Sequence, residues 1–185
     1  MSFNNISSNS IFSYFYDLKF LPTGEKIVLS KEQKMILLLI EYLLIISLFK
    51  HINNIALIIK GFLYAQILIY ASYVDYRTKL IPNKIQVLIL FVSFIKMNLY
   101  LSIINLFLFA LPLYLSAILK NGSIGGGDIK LMGSSGFLIG FKGIEVLIFI
   151  LISLILAFAI NRDTYKNGIA LAPYISVGCF LSYLL

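Results

Sequence analysis

Hydrophobic residues fill most of the chain in long runs, and short polar stretches separate them. Residues 1–34 form the one extended polar region. From residue 35 onwards, six apolar runs are long enough to cross a bilayer or nearly so: 35–49, 55–74, 85–99, 100–119, 144–160 and 169–185. A shorter run, 129–140, covers only part of a membrane thickness at the rise of an α-helix. The pattern predicts about six transmembrane helices plus a short helix that crosses or re-enters the membrane.

The spans are predicted to be helices because lipid offers no hydrogen bonds to the main chain. The alternating polar and apolar pattern of a membrane barrel strand is absent from the runs. The predicted fold is therefore an all-α, polytopic membrane helical bundle. We divide the chain into a polar N-terminal segment, 1–34, cytoplasmic or interfacial, and a membrane-embedded domain, 35–185.

Composition supports a membrane protein. Of 185 residues, 60% are hydrophobic and 12% are charged, whereas about a quarter of a soluble domain is charged. The net charge of +7 could suggest nucleic acid, but the basic residues stand singly beside apolar runs, as topology signals do. We expect a lipid bilayer as partner and no nucleic acid.

The residues that usually hold metals or form disulfides are scarce. Cys179 is the single cysteine and His51 the single histidine. No disulfide framework and no cysteine-based zinc site can form from one cysteine. We therefore expect no metal and no cofactor.

Positive charge predicts the orientation of the chain. Four lysines precede the first apolar run, which places the N-terminus in the cytoplasm: Lys19, Lys26, Lys31 and Lys34. Two spans later the chain returns at 75–84, which is again basic, and two further spans bring it back at 120–128. Both loops are thus predicted to lie on the cytoplasmic face.

Two of the four aspartates stand at the borders of apolar helices. Asp17 and Asp163 lie in polar stretches and are interpreted as solvated surface. Asp75 and Asp128 each adjoin an apolar run on the predicted cytoplasmic face. An ionisable group in such a place is a functional candidate.

Asp75 follows an apolar run directly, at the C-terminal end of the predicted helix. The helix dipole disfavours an anion there. A structural alternative is a salt bridge to Arg77 or Lys79. Pro82 ends any helix at or before Ile81.

Asp128 has a structural alternative too, because an aspartate at this point is a natural helix N-cap. Capping leaves Gly125, Gly126 and Gly127 unexplained, since one glycine is enough for a tight turn. Three residues without a Cβ would let another backbone approach the carboxylate closely. A peptide substrate lying extended against the loop would need this clearance.

Together the two carboxyl groups fit one chemistry. If they meet, both cannot ionise easily, so they share one proton. The charged group would act as general base on water, and the protonated group would hydrogen-bond to the scissile carbonyl. This is aspartic-protease chemistry. A helical hairpin between residues 75 and 128 would return the chain to the same face.

Two segments resemble the motifs of type IV prepilin peptidases, a branch of the GxGD membrane aspartic proteases. They are "DYRTKLIPNKI" at 75–85 and "GGGDIKLMG" at 125–133, and "GIALAPYISVGCF" at 168–180 is a weaker match to the start of the family's last helix. The resemblance covers roughly residues 55–185.

The resemblance implies that Asp75 and Asp128 are the catalytic pair. It implies as substrate the N-terminal leader of a type IV prepilin or pseudopilin, cut on the cytoplasmic side of a bacterial or archaeal cell membrane. The residues expected to form the substrate loop come from the same two motifs: Gly125, Gly126, Gly127, Lys130, Arg77, Pro82 and Asn83. For Lys130, snorkelling to lipid phosphate is an equal alternative.

The chain departs from the long form of this family, which carries a cysteine-rich zinc region and also methylates its product. With Cys179 alone, the sequence resembles the short, peptidase-only members. Methyltransferase activity is not expected.

Two other functions remain open at this point. A small transporter or scaffold could use the aspartates to relay protons or cations, although that would place carboxylates nearer the middle of spans. Another GxGD intramembrane protease could cut ordinary transmembrane segments instead. The Ile-Pro-Asn turn favours the prepilin branch.

Overall fold

The computed structural model describes residues 31–119, 124–140, 152, 155 and 170–185, and these residues form helices and short connections. The helices are α1 (Lys31–His51), α2 (Ile55–Thr78), α3 (Asn83–Ser93), α4 (Leu99–Leu119), α5 (Gly126–Ile139) and α6 (Ala172–Leu184). No strand occurs in these ranges, so the predicted all-α class is confirmed for them. Of the predicted run 144–160, only Ile152 and Ile155 are described, and both are helical.

Main-chain contacts divide the chain into two units, Met1–Leu43 and Leu44–Leu185. The described part of the first unit is the beginning of α1, which starts at Lys31 with Glu32 in its first turn. The end of the predicted polar segment is therefore already helical. The boundary predicted after residue 34 stays a prediction.

Among the described residues, two helices are long and apolar enough to cross a membrane, namely α2 and α4; α3 and α6 are apolar but shorter. The six predicted spans are thus matched only in part by the described residues. The run predicted at 85–99 breaks after Ser93. Lys96 there adopts a left-handed φ of 51°, and the side chain of Asn98 accepts a hydrogen bond from the Leu101 N–H. A polar cap of this kind starts a new helix inside an otherwise apolar run.

In the second unit, α5 packs against α3, α4 and α6, while α2 packs against α3 and α6. The inward side of α5 is buried, as are its small polar residues Ser134 and Ser135. A short helix that packs against three others exposes little of its surface to lipid. The residues around its first turn are consequently fixed by the rest of this unit.

Of three glycines that face α4 from α5 and its C-cap, two allow a close approach of the helices. A Cβ on Gly136 would lie 2.8 Å from the Cβ of Phe109 and closer still to the carbonyl oxygen of Asn105. A Cβ on Gly140 would meet the main chain of Ser102. At Gly133 the nearest atoms would be 3.5 Å away, which is ordinary contact. The contact between the helices at Gly136 and Gly140 therefore has no room for a side chain.

We expect Gly136→Ala to lower the thermal unfolding midpoint of the purified protein in detergent. The added methyl must push α5 away from α4, and overpacking of this kind costs on the order of 1–3 kcal/mol. Gly133→Ala is the matched control, because it adds the same methyl to the same helix where there is room. Equal midpoints for the two variants would contradict the close contact at Gly136.

Candidate functional site

Asp75 lies in the last turn of α2, three residues before the helix ends. The helix stops at Lys79, which has a left-handed φ of 53° and donates its N–H to the Asp75 carbonyl oxygen at 2.8 Å. Such a left-handed residue is a common helix terminator. The sequence-based expectation that the helix ends at or before Ile81 is confirmed, and Asp75 is at the predicted helix end.

Pro82 and Asn83 start α3. Pro82 occupies the N-cap with a φ of −64°, which its ring favours, and Asn83 is the first helical residue. The Asn83 side-chain oxygen accepts a hydrogen bond from the Lys130 ammonium group at 3.1 Å. This bond joins the first sequence motif to the second.

Gln86, one turn into α3, is a buried polar residue that lies close to both motifs. Its side chain is only 8% exposed. The amide lies 3.5 Å from the Gly127 carbonyl oxygen, and in its satisfied orientation the nitrogen donates to the carbonyls of Pro82 at 2.7 Å and Asn83 at 2.9 Å. Gln86 was not among the sequence-based candidates, because a glutamine within an apolar run carries no distinguishing pattern.

Asp128 lies inside the first turn of α5, not before it. Gly125 holds the N-cap position with no side-chain hydrogen bond, and the N–H of Asp128 donates to the Gly125 carbonyl at 3.1 Å. The alternative interpretation of Asp128 as the helix N-cap is therefore wrong. The helix therefore begins at Gly126, two residues before the carboxylate.

The three glycines have different surroundings. A Cβ on Gly127 would lie 3.1 Å from the Cβ of Ile81, and one on Gly125 would lie 3.2 Å from the Asp128 Oδ2 atom. Gly126 has no atom of the described residues within 4 Å of its Cβ position. The protein's own groups thus use the space at two of the glycines, and only Gly126 has the open clearance expected for all three.

The Asp75 carboxyl is almost fully buried, with 4% of the residue exposed. Its Oδ2 atom accepts a hydrogen bond of 2.9 Å from the main-chain N–H of Ala172. Ala172 is the first residue of α6, and N–H groups in the first turn of a helix have no partner within that helix. The carboxylate therefore receives a donor from a helix that begins 97 residues later in the chain.

Asp128 is buried as well, at 8% exposure. Its Oδ1 atom has no hydrogen-bond partner in the described ranges. Asp128 precedes the apolar part of α5 and lies outside the two helices long enough to span a membrane. Burial and, as the smaller cause, the nearby charge of Asp75 together raise the pKa of Asp128 to about 7.

Asp75 and Asp128 lie close enough for the charge of one to act on the other. The two motifs are joined by the Asn83–Lys130 bond and by the contact of Ile81 with Gly127. Arg77 has a different environment, because its guanidinium carbon lies 5.9 Å from the centre of the Tyr73 ring. Of the two partners suggested for an Asp75 salt bridge, Lys79 acts on the carboxylate electrostatically. No cluster of three or more His, Cys, Asp or Glu side chains suited to a metal occurs in the part of the chain that the structure describes.

The Ala172 N–H was also missed by sequence reasoning. The weak motif at 168–180 does indicate the start of the helix that carries this N–H. Pro173 stands in the first turn of α6, and proline is typical of that position. That pattern predicts a helix start near 172. It does not predict which side chain the free N–H groups meet.

The raised pKa of Asp128 predicts how stability depends on pH. A carboxyl whose pKa rises from 3.8 to about 7 on folding destabilises the fold progressively as pH increases between those values. We expect Asp128→Asn, which cannot ionise, to raise the unfolding midpoint at pH 8 more than at pH 5. Thermal unfolding of the purified variant and the wild type at both pH values measures the difference. A gain that is equal at the two pH values would contradict the raised pKa.

Comparison of the sequence with known proteins identifies a family. A family model described as the type IV leader peptidase family matches residues 62–161, a range that is more than half of the chain and contains both aspartates. No curated protein and no solved structure matches the chain significantly. The match extends through the two motifs that α2, α3 and α5 bring together. The protein belongs to the type IV leader peptidase family and is a peptidase.

Proposed function

We propose that the protein is a membrane aspartic endopeptidase in which Asp75 and Asp128 jointly activate a water molecule. The observation that carries this proposal is that both carboxyl groups are buried and that the charge of one raises the pKa of the other. Like charges held together without water are unfavourable, so such pairs are rarely kept for structure alone. Membership of a peptidase family supports hydrolysis of a peptide bond as the use of the pair.

The reaction needs one ionised and one protonated carboxyl. The ionised group takes a proton from water, and the water oxygen attacks the carbonyl carbon of the scissile bond. The protonated group gives its proton to the carbonyl oxygen, which yields a tetrahedral diol. When the diol collapses, the C–N bond breaks and the nitrogen takes the proton that the first group had received. The hydroxyl formed from the carbonyl oxygen returns its proton to the second group and becomes a carbonyl again. The new carboxyl end then carries the water oxygen, and the two groups share one proton again.

As substrate we propose the N-terminal leader of a type IV prepilin or of a pseudopilin. An extended peptide has clearance beside Gly126, where a Cβ would meet nothing within the described residues. Lys130 and Asn83, joined by their hydrogen bond, form one border of this approach. Gly125 and Gly127 position Asp128 and the loop, while Pro82 fixes the start of α3.

We further propose that the site faces the cytoplasm of a bacterial or archaeal cell and that the membrane domain spans the bilayer several times. Basic residues cluster around the ends of α2 and α3, namely Arg77, Lys79 and Lys84. Loops that are rich in lysine and arginine stay on the cytoplasmic side of the membrane. Asp75 in the last turn of the membrane-length helix α2 would then lie at the inner border of the bilayer.

The two competing functions make different demands. A proton or cation relay would place its carboxylates along a path through the membrane, whereas Asp75 and Asp128 lie at helix ends and act on each other. Another GxGD intramembrane protease would cut within transmembrane segments. The position of the cut therefore separates the second alternative from the proposal.

We expect the wild-type protein, co-expressed with a candidate prepilin, to remove the leader, and Asp75→Asn and Asp128→Asn to abolish removal. Neither amide can supply both protonation states that the reaction needs. Mass spectrometry of the pilin N-terminus gives the cleavage position and shows that no methyl group has been added. Asp163→Asn is the matched control, since it makes the same change at an aspartate outside the proposed site.

Full cleavage by either variant would rule out the pair as the catalytic groups. An added methyl would overturn the peptidase-only assignment. A cut within the hydrophobic helix of the pilin would favour the intramembrane alternative. Membrane fractionation and western blotting of each variant establish that loss of cleavage is not loss of the protein.

Gly127→Val should lower kcat/KM for leader removal. The Cβ position is already 3.1 Å from Ile81, so the larger side chain must move the loop that carries Asp128. A displacement of about 1 Å costs on the order of a hundredfold in rate. Gly127→Ala should fall between valine and wild type, since alanine adds the Cβ alone. A valine variant with wild-type kcat/KM would show that the contact with Ile81 does not position Asp128.

A further inference from the structure

Asp75 and Asp128 have unequal surroundings, and the difference concerns hydrogen-bond donors. The Asp75 Oδ2 atom accepts the Ala172 N–H at 2.9 Å in a buried position. The Asp128 Oδ1 atom is equally inaccessible to solvent and has no partner in the described ranges. A symmetrical pair would share its donors evenly.

The donor at Asp75 favours the charged form of that carboxyl. A main-chain N–H can only donate, so the Asp75 oxygen that it meets acts as the acceptor, and an ionised carboxylate oxygen is a stronger acceptor than a neutral one. A hydrogen bond to the charged form favours ionisation. Ala172 also stands at the N-terminus of α6, where the helix dipole stabilises a negative charge.

The position of α6 against α2 is fixed near this contact. One turn further along α6, the hydroxyl of Ser176 lies 2.9 Å from that of Ser72, which precedes Asp75 by three residues on α2. At the far end of α6, the Tyr183 hydroxyl donates to the Leu57 carbonyl at 2.6 Å. The two helices are therefore held in register at both ends. These two contacts, in addition to the hydrogen bond itself, direct the Ala172 N–H towards Asp75.

The surroundings of Asp128 favour the neutral form. Burying an ionised carboxylate without hydrogen bonds costs several kcal/mol in proteins. Asp128 does lie in the first turn of α5, where the helix dipole favours a charge. However, the N-cap of that helix is a glycine without a side-chain bond, and the buried Oδ1 atom accepts no N–H from the described residues.

We propose that the two carboxyl groups have fixed and different roles: Asp75, held by the Ala172 N–H, is the ionised group that activates water, and Asp128 carries the proton given to the scissile carbonyl. The inference rests on the proposed function. The Ala172 N–H acts as a positioning group through Asp75, whereas Asp75 and Asp128 are the catalytic residues. The pKa of Asp128, raised to about 7 by burial and by the charge of Asp75, agrees with this assignment.

In the described part of the chain, two charged groups act on the Asp75 carboxyl or are acted on by it. Asp128 comes from α5, and Lys79 comes from the turn that ends α2. From α6 the contact is a main-chain N–H. Protonation of the pair therefore depends on these groups, and each can be changed separately.

Infrared spectroscopy of the full chain in lipid, labelled with [4-¹³C]aspartate, tests the assignment directly. The label separates aspartic from glutamic acid, and exposed aspartates with a pKa of about 4 are ionised at pH 6. We expect one aspartic acid carbonyl band in the wild type at pH 6, lost as the pH rises through about 7. Asp128→Asn should remove the band. Asp75→Asn should keep it but shift its loss to lower pH, since the neighbouring negative charge is gone.

The double variant Asp17→Asn, Asp163→Asn is the control, and its band should equal that of the wild type. A band that survives in Asp128→Asn and disappears in Asp75→Asn would reverse the two roles. If the wild type also cleaves the prepilin, the inference fails while the proposed function stands. If no precursor is cleaved, the function fails and the roles fail with it.

A second variant keeps the test valid should either asparagine disturb the fold. Replacing residue 172 with the α-hydroxy analogue of alanine turns the N–H into an ester oxygen and leaves the side chain intact. Without the donor, Asp75 ionises less readily, so the acidic limb of the kcat/KM profile should shift to higher pH.

The matched control is the same ester at Tyr174, whose N–H donates to the Leu171 carbonyl at 3.1 Å within the same helical turn. The Tyr174 ester should leave the acidic limb unchanged. An unchanged limb for the Ala172 ester, or equal shifts for both esters, would overturn the role of the Ala172 N–H.

Discussion

The burial of two carboxyl groups at one place is the constraint on which the rest of the described site depends. Asp75 and Asp128 are both largely removed from bulk solvent, so each relies on the protein for stabilisation. The fold treats the two groups differently. The N-terminus of α6 donates a hydrogen bond to Asp75, whereas the pKa of Asp128 is raised to about 7. With Asp128 protonated, as proposed, the site would hold one buried negative charge instead of two.

The packing of α5 explains how a short helix can hold one of these groups in position. Its first turn is joined to α3 through Lys130 and Asn83 and through the contact of Gly127 with Ile81. Further along, Gly136 and Gly140 bring it against the main chain of α4. Because backbone meets backbone there, the axial position of α5 is fixed more closely than flexible side chains would allow. The motif around Asp128 thus combines a loop with a packing surface.

The sequence predicts the helical class, the two aspartates and their border positions, because apolar periodicity and isolated charges are local signals. It does not predict the end of α3 at Ser93, since the left-handed Lys96 and the cap at Asn98 act within an apolar run. The surroundings of the three glycines also escape prediction. Their meaning depends on Ile81 and on the Asp128 side chain, which only the folded chain places beside them. Gln86 and the Ala172 N–H are missed for the same reason, as one is an ordinary polar residue and the other is main chain.

The bond between Asp75 and Ala172 also has a consequence for biosynthesis. Asp75 and Ala172 are separated by 97 positions, and Asp128 also precedes α6. A ribosome has therefore synthesised both aspartates before it reaches α6. During that interval the nascent chain contains the pair without the N–H that stabilises a charge on Asp75. The order of synthesis therefore delays the completed site until α6 has joined α2. A protein that cuts peptides at the membrane would in this way be inactive while its own helices are still being inserted.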